Sequence, residues 1–288
     1  MATVTNTSTN AINKNVIIPE VYSQLVREKI KGKVKVAQFL VNLGDLHGKV
    51  GETLTMPKWG YIGDAKDWAI NTPMEVTQMK QTETKATIKA IQAPAVKVAD
   101  YDNEVELGNA IEEAASQQAV AVGRKYDTDA IACALTSPLK YQLATKNTVT
   151  QDEMIAMLGL YGDDRDSADF DAIVISSLFA KDFYKMDMFT SRERTMTKDG
   201  NGIAVNGVIG EFLGIPVVLS DRLYDNTNTE GFILVMKKNA ISIIPKESPF
   251  AEASRDAGLR QTTIYLSQFY AMALTDDTAV VVAKKVIS

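Results

Sequence analysis

The sequence predicts an α+β protein built around one long helix, and three observations lead to this prediction. An alanine-rich helical pattern begins at Asn103 and ends before Pro138. Two largely polar strands precede it, one from Thr53 to Trp59 and one from about Glu75 to Ile91. Beyond residue 148 helix and strand patterns alternate, and long strand patterns end the chain. A mixed α/β centre combined with long antiparallel strands is typical of the α+β class.

Composition limits the class of protein before any motif is considered. The chain has 288 residues, of which 45% are hydrophobic and 23% charged, so it can bury a full core. No apolar run approaches the roughly 18 residues of a membrane-spanning helix, and the first ten residues lack the features of a secretory signal. The single cysteine, Cys133, excludes an internal disulfide framework, which suggests a reducing cytosol.

The N-terminal region is expected to be an arm followed by short elements. Residues 1–16 are rich in Thr, Asn, Ser and Ala without periodicity and are predicted to be flexible. Pro19 then begins an amphipathic helix that Gly32 ends. Its apolar side chains recur at helical spacing: Val21, Leu25, Val26 and Ile30.

The two polar strands are predicted to form a ribbon with a charged tip, GYIGDAKDW (60–68), in which Gly60 and Gly63 mark turns. Both faces are polar along much of its length, and a two-stranded ribbon is marginally stable alone. We therefore expect it to lie against another chain. Trp59, Tyr61 and Trp68 surround the tip, where they either contact a partner or pack on their own ribbon.

The long helix and the region after it carry clear start signals. Asn103 and Glu106 form a capping-box pattern, and the helix that follows is predicted to span about 45–50 Å. Thr150 and Glu153 repeat the capping-box pattern for a later helix. Further strands are predicted at 171–177, after Gly214, and at 231–237, 240–246, 262–274 and 278–285.

No constellation of residues predicts catalysis, and we expect no catalytic residue, cofactor or metal. The single histidine, His47, is interpreted as a turn residue, and two-histidine metal sites are excluded. The acidic stretch 162–171 fails the calcium-loop pattern, and the glycines between 200 and 214 fail the phosphate-loop pattern, so both are interpreted as loops or turns. A small basic cluster consists of Arg192, Arg194 and Lys198, for which a solvated loop is favoured over contact with nucleic acid or a neighbouring subunit.

The order of elements, together with three stretches, resembles a known family. GEFLGIPVVLSD (210–221) looks like a family strand with the pattern G-I-P-V, and residues 239–264 are similar to its late pair of long strands around Arg255-Asp256. Residues 85–100 resemble the strand that enters the family's spine helix. Over nearly the whole chain, the sequence resembles the major capsid proteins of tailed bacteriophages, which have the Hong Kong ninety-seven fold shared with encapsulins.

This resemblance implies four regions and an assembly function. The regions are an N-terminal arm (1–47), an extended hairpin loop (48–76), a peripheral domain with the spine helix (77–148 and 239–272) and an axial domain (149–238 and 273–288). Chains of the family form pentamers and hexamers that close into an icosahedral shell around double-stranded DNA, with no enzymatic activity. The residues expected to make assembly contacts are Trp59, Lys66, Trp68, Arg192, Arg194, Arg255 and Asp256.

The same resemblance implies partners and a location. The chain would bind itself, a portal protein and a separate scaffolding protein, since the segment before the hairpin is too short to include a fused scaffold. It would contact packaged DNA weakly, because its net charge is −5, and it would not bind a membrane. It would be synthesised in the host bacterial cytoplasm and end in the virion. Cross-linking through Lys58 or Lys66, as in some relatives, is disfavoured because no partner or catalytic carboxylate is recognisable.

Two alternatives remain open at this stage. One is an encapsulin-like compartment shell of the same fold that holds a protein cargo. The other is a soluble α/β protein or enzyme that binds an anionic or carbonyl ligand without histidine.

Overall fold

The computed structural model describes residues 19–44, 50–59, 64–65, 67, 73, 76–79, 81–101, 110–163, 166–190, 208–246 and 249–285. The helices are α1 (Pro19–Lys31), α2 (Ala110–Ala134), α3 (Gln151–Gly159), α4 (Ser177–Phe183) and α5 (Asp187–Thr190). The strands of the N-terminal half are β1 (Val41–Asn42), β2 (Thr53–Trp59), β3 (Gln81–Thr87), β4 (Lys89–Ala99) and β5 (Lys140–Gln142). Those that follow are β6 (Phe170–Ile175), β7 (Val208–Phe212), β8 (Ile215–Leu219), β9 (Tyr224–Asp225), β10 (Glu230–Gly231), β11 (Ile233–Lys237), β12 (Ile241–Pro245), β13 (Phe250–Asp256), β14 (Gln261–Leu274) and β15 (Val280–Lys284).

A five-stranded sheet is organised around the 14-residue strand β14. Antiparallel β4 lies along one side of β14, and antiparallel β13 and β12 lie end to end along the other. Strand β14 buries every second residue from Thr262 to Tyr270, as expected where one face of a sheet is covered. Helices α1 and α2 contact the sheet through β13, β4 and β14. The opposite face of these strands is more exposed.

Helix α2 is the spine of this layer. Its described part has 25 residues and spans about 37 Å. The predicted cap at Asn103 and Glu106 lies outside the described residues. Ala115, Ala119 and Ala130 are fully buried, and their small side chains allow neighbouring elements to approach closely.

A second, six-stranded mixed sheet has the order β5-β15-β11-β6-β8-β7. Its core is rich in phenylalanine, including Phe179, Phe183 and Phe212, all fully buried. Strands β7 and β8 form a hairpin whose two turn residues, Leu213 and Gly214, have φ of 51° and 80°. Positive φ at both central positions defines the turn that best matches strand twist, and glycine accommodates it without strain.

Several predicted elements are confirmed. Helix α1 begins at Pro19, strand β2 runs from Thr53 to Trp59, and the capping box of α3 is present. The Glu153 N–H donates to Thr150 Oγ1 (3.3 Å), and the Thr150 N–H donates to Glu153 Oε2 (2.8 Å).

Two predictions are wrong in detail. The second ribbon strand begins at Gln81 rather than near Glu75, and it is interrupted at Ile88, which is buried. Val21, predicted to face the core, is 63% exposed, and Tyr22 takes its place because the buried stripe of α1 follows residues 22, 26 and 30. In the described ranges, no helix is long and apolar enough to cross a membrane.

Other predicted features cannot be compared with the structure because they lie outside the described residues: the arm at 1–16, His47, the ribbon tip at 60–63, and the turns at 198–202 and 205–207.

Candidate assembly surfaces

The ribbon of β2 and β3 is attached to the body at its base. The strands pair in register from Thr53–Thr87 to Trp59–Gln81. At the base, Ala86 and Ile88 are buried in a small cluster with side chains of the five-stranded sheet and partly buried Leu54. Residue 88 exchanges backbone hydrogen bonds of 3.0 Å with Gly51 and Glu52. The anchored end is therefore short, and the polar strands continue away from it.

Exposed apolar side chains follow in the segment that leads into β3. Val76 is 97% exposed and Met79 is 55% exposed. Sequence reasoning missed both, because it considered the tryptophans near the tip. The signal available was the pair of large apolar residues at the two ends of the stretch V-T-Q-M (76–79). Exposed apolar side chains that lie close together are candidates for contact with a neighbouring chain.

The structure describes some of the predicted contact residues and not others. Trp59 ends β2 opposite Gln81, and its side chain is not described. Lys66, Trp68, Arg192 and Arg194 lie outside the described residues.

Arg255 and Asp256 both stabilise structure within the chain. Arg255 forms a two-pronged ion pair with Asp100, with N–O distances of 3.0 and 2.6 Å, which connects β13 to the end of β4. Asp256 Oδ1 accepts the N–H groups of Gly258 (3.0 Å) and Leu259 (3.2 Å) and so stabilises the turn into β14. The Arg-Asp element therefore shapes the end of the sheet.

The ion pair predicts a measurable titration. The hydrogen bonds from Arg255 hold the pKa of Asp100 below its usual range. The pair thus stabilises the fold above the ordinary pKa of about 3.9, and its contribution disappears as the pH falls through the lowered value. We expect Arg255→Ala to raise the pKa of Asp100 in an NMR titration, whereas Arg260→Ala should raise it less. An unchanged pKa in Arg255→Ala would show that the pair does not form in solution.

The outer face of the five-stranded sheet is open and carries two aromatic residues. Phe250 is 53% exposed on β13, and Tyr265 is 41% exposed on β14. Glu252 pairs with Tyr265 in register, so the face mixes charge with aromatic surface. Aromatic surface of this kind is common where proteins bind each other.

On the covered face, Gln118 joins three elements. The Tyr22 hydroxyl of α1 donates to Gln118 Oε1 (2.8 Å). The Gln118 amide donates to the carbonyls of Pro94 (2.9 Å) and Ile264 (3.4 Å), where β4 and β14 shift register. Burial raises the pKa of Tyr22 to about 12, so this hydroxyl stays a donor.

A second buried polar residue of the spine, Asp127, holds the chain that follows α1. Its carboxylate accepts the backbone N–H groups of Lys35 (3.1 and 3.2 Å), Val36 (2.9 Å) and Ala37 (2.8 Å). Burial raises the pKa of Asp127, and the three N–H groups oppose that shift. The loop is thereby fixed against α2.

A third polar group of the spine, Asp129, lies near the base of the ribbon. It accepts the Tyr270 hydroxyl (2.5 Å) and pairs with Lys125 (3.0 Å) and Lys89 (3.5 Å). Burial disfavours its charge, but these three partners outweigh burial and lower its pKa. Lys89 is the first residue of β4, so the ion pair connects the spine to the strand that continues from the ribbon.

None of these groups forms a catalytic arrangement. Burial raises the pKa of the partly buried Cys133 thiol, which disfavours the reactive thiolate. A cleft of about 560 Å³ next to it is open and lined by residues of mixed character. Within the described ranges, no group of three His, Cys, Asp or Glu side chains is placed to hold a metal ion.

Comparison with known proteins gives a consistent answer. No protein-family model matches the chain. It is 29% identical over 273 residues to the major capsid protein of Staphylococcus phage phiMR11, covering 93% of each chain. Its structure matches the capsid of the cyanophage P-SCSP1u with a TM-score of 0.64 at 15% identity, over 89% of each chain. It also matches a virus-like particle from Pyrococcus furiosus with a TM-score of 0.59 at 11% identity, over 93% of this chain and all of that one. The predicted capsid-type α+β fold and the resemblance to phage major capsid proteins are confirmed.

Proposed function

We propose that this chain is the major capsid protein of a tailed bacteriophage, which self-assembles into pentamers and hexamers of an icosahedral shell enclosing double-stranded DNA. The observation that carries this proposal is the similarity to a phage major capsid protein along 93% of both chains. The capsid proteins it resembles are structural, and the chain is accordingly not an enzyme.

The shape of the described chain supports assembly. A ribbon attached to the body at its base and a sheet face with exposed aromatic side chains are both surfaces that can gain partners from neighbouring copies. When a neighbouring copy orders such a ribbon, folding of the ribbon is coupled to assembly. The measured free energy of assembly then includes the free energy of ordering the ribbon. We also propose the division into an arm (1–47), an extended loop (48–76), a peripheral domain (77–148 and 239–272) and an axial domain (149–238 and 273–288). Most strands of each large sheet fall within one of the last two regions, but β5 lies in the proposed peripheral range and pairs with β15 of the six-stranded sheet.

The proposed contacts and partners extend this function. Trp59, Lys66, Trp68, Arg192 and Arg194 are proposed to contact neighbouring copies directly. Arg255 and Asp256 contribute by fixing the sheet end. The further partners we propose are a separate scaffolding protein, a portal protein and packaged DNA. The chain is synthesised in the host cytoplasm and functions in the virion.

Size-exclusion chromatography with light scattering, followed by negative-stain microscopy of each peak, tests the proposal. Five- or six-fold rings or closed shells are expected, with scaffolding protein or a crowding agent added where the purified chain stays small. A chain that remains a monomer or dimer under all these conditions would contradict a capsid function and favour the soluble ligand-binding alternative.

A compartment shell remains the second candidate, because the virus-like particle from Pyrococcus furiosus shares the fold. The sequence relative favours the phage capsid. The absorbance ratio of particles from the native host separates the two: nucleic acid inside supports the capsid, and a protein cargo supports the compartment.

The exposed side chain of Val76 gives a prediction specific to assembly. Val76→Ser should leave the melting temperature of the unassembled chain unchanged, since the residue is almost fully exposed. If a neighbouring copy buries the Val76 side chain, the variant should lose about 1.5 kcal/mol of assembly free energy per contact. The concentration needed for assembly should then rise roughly tenfold. Light scattering against protein concentration measures the shift.

Thr77→Ser is the matched control, because it changes the adjacent exposed residue without removing a large apolar group. Equal assembly thresholds for Val76→Ser and the unmodified chain would show that Val76 stays exposed in the shell.

A further inference from the structure

The end of α1 and the loop after it carry a concentrated positive charge. Residues 27–35 include five basic residues and one acidic residue, in a chain whose net charge is −5. We call the surface formed by Arg27, Lys29, Lys31, Lys33, Lys35 and Arg124 the basic face. Lys31, Lys33 and Arg124 are exposed. The negative charge of the chain therefore lies elsewhere, and this surface is locally cationic.

The fold brings the spine, at the residue before Arg124, against the loop that carries Lys33. A β-carbon added at Gly123 would lie 3.5 Å from Cβ of Lys33 and 3.4 Å from Cγ1 of Val34. The absence of a side chain at position 123 thus allows the loop to lie directly on α2. Asp127 holds the same loop through three backbone N–H groups. The loop is therefore held against the spine at positions 123 and 127.

The charges of the basic face are only partly balanced. Lys29 pairs with Glu112 at 3.4 Å, and the Asp127 carboxylate is buried beneath the loop. Among the residues that the structure describes, no carboxylate lies within ion-pair distance of Lys31, Lys33 or Arg124. Three exposed cations therefore remain to attract an anionic partner.

We infer that the basic face binds the phosphate backbone of duplex DNA. The inference rests on the proposed function, in which the shell encloses DNA. From residue 27 to 38 the exposed side chains are Arg, Glu, Lys and Gln, with no exposed apolar group to anchor a protein partner. The tyrosines nearby, Tyr22 and Tyr126, are buried, so neither ring is available to stack on unpaired bases. Phosphate contacts of this kind are independent of base sequence.

Fluorescence anisotropy with a labelled 30-base-pair duplex, measured from 25 to 200 mM salt, tests this site. The test variant is Lys31→Gln/Lys33→Gln/Arg124→Gln. Each phosphate contact contributes about −0.9 to the slope of log K against log salt. The slope of the test variant should therefore be shallower by about 2.7, and its affinity at low salt should be at least tenfold weaker. The control, Lys181→Gln/Lys185→Gln/Lys238→Gln, removes the same charge from exposed positions on other elements and should keep most of the slope.

Three results would overturn the inference. They are an unchanged slope in the test variant, an equal loss in the control, or tighter binding of poly-glutamate than of duplex at equal charge, which would indicate an acidic protein partner. Circular dichroism melts establish that both variants fold. Shell formation is measured separately, so binding through these residues without shells would contradict the proposed function alone, and shells without such binding would contradict this site alone.

Discussion

Replacing Asp127 by alanine is expected to lower the free energy of unfolding by about 3 kcal/mol, because three backbone N–H groups lose a charged acceptor. The donors belong to Lys35, Val36 and Ala37, and Val36 is fully buried, so water replaces the carboxylate poorly at that site. Urea denaturation of the unassembled chain measures the change. Amide hydrogen exchange should show the same three N–H groups exchanging much faster in the variant.

Asp221→Ala is the matched control, since Asp221 is exposed and its change should stay within about 0.5 kcal/mol. Unaltered exchange at Lys35 to Ala37 in Asp127→Ala would mean that the loop is held by its apolar contacts instead. The experiment also bears on the basic face, because a released loop would no longer hold Lys33 against the spine at Gly123.

Local signals explain which elements could be predicted from the sequence. The start of α1 at Pro19 and the capping box at Thr150 depend on residues that are neighbours in the sequence, so local sequence patterns predict both. The start of β3 was placed six residues early, because the polar residues after Glu75 resemble a strand in composition while the structure pairs only those from Gln81.

The polar contacts of the spine were not predicted, because their partners are distant in sequence. Asp127 binds residues about 90 positions earlier, and Gln118 reaches Ile264, 146 positions later. A signal was nevertheless present: both polar residues fall within the buried stripe of an otherwise alanine-rich helix. A buried polar side chain requires a partner, although the spacing cannot identify it.

Assembly surfaces are harder to predict for a different physical reason. Phe250 begins a strand that is exposed at every residue except Ala251, and Tyr265 lies on a strand that alternates as ordinary half-buried strands do. Only the pairing of the two strands shows that both aromatic side chains lie on one face. The basic face likewise requires Gly123 and Lys33 to meet across the fold. Both surfaces depend on contacts between segments far apart in the chain.

Replacing Gln118 by leucine is expected to destabilise the chain by about 3 kcal/mol, although the side chains are similar in size. The change leaves the buried Tyr22 hydroxyl without its acceptor and the carbonyls of Pro94 and Ile264 without a donor, at a position where the strands already shift register. Gln117→Leu provides the control on the adjacent, exposed residue, whose amide bonds only to Glu113, and should change stability by less than about 0.5 kcal/mol.

A double-mutant cycle with Tyr22→Phe separates the two ends of this bridge. The double variant, which removes both polar partners of the Tyr22–Gln118 hydrogen bond, should be destabilised by about 1 kcal/mol less than the sum of the two single changes. The reason is that no hydroxyl is then left unpaired. The two strand carbonyls stay unpaired in the double variant, so stability should remain below that of the unmodified chain. Additive single changes would contradict the hydrogen bond between α1 and the spine, and a fully stable Gln118→Leu would show that apolar packing alone holds the spine on the sheet.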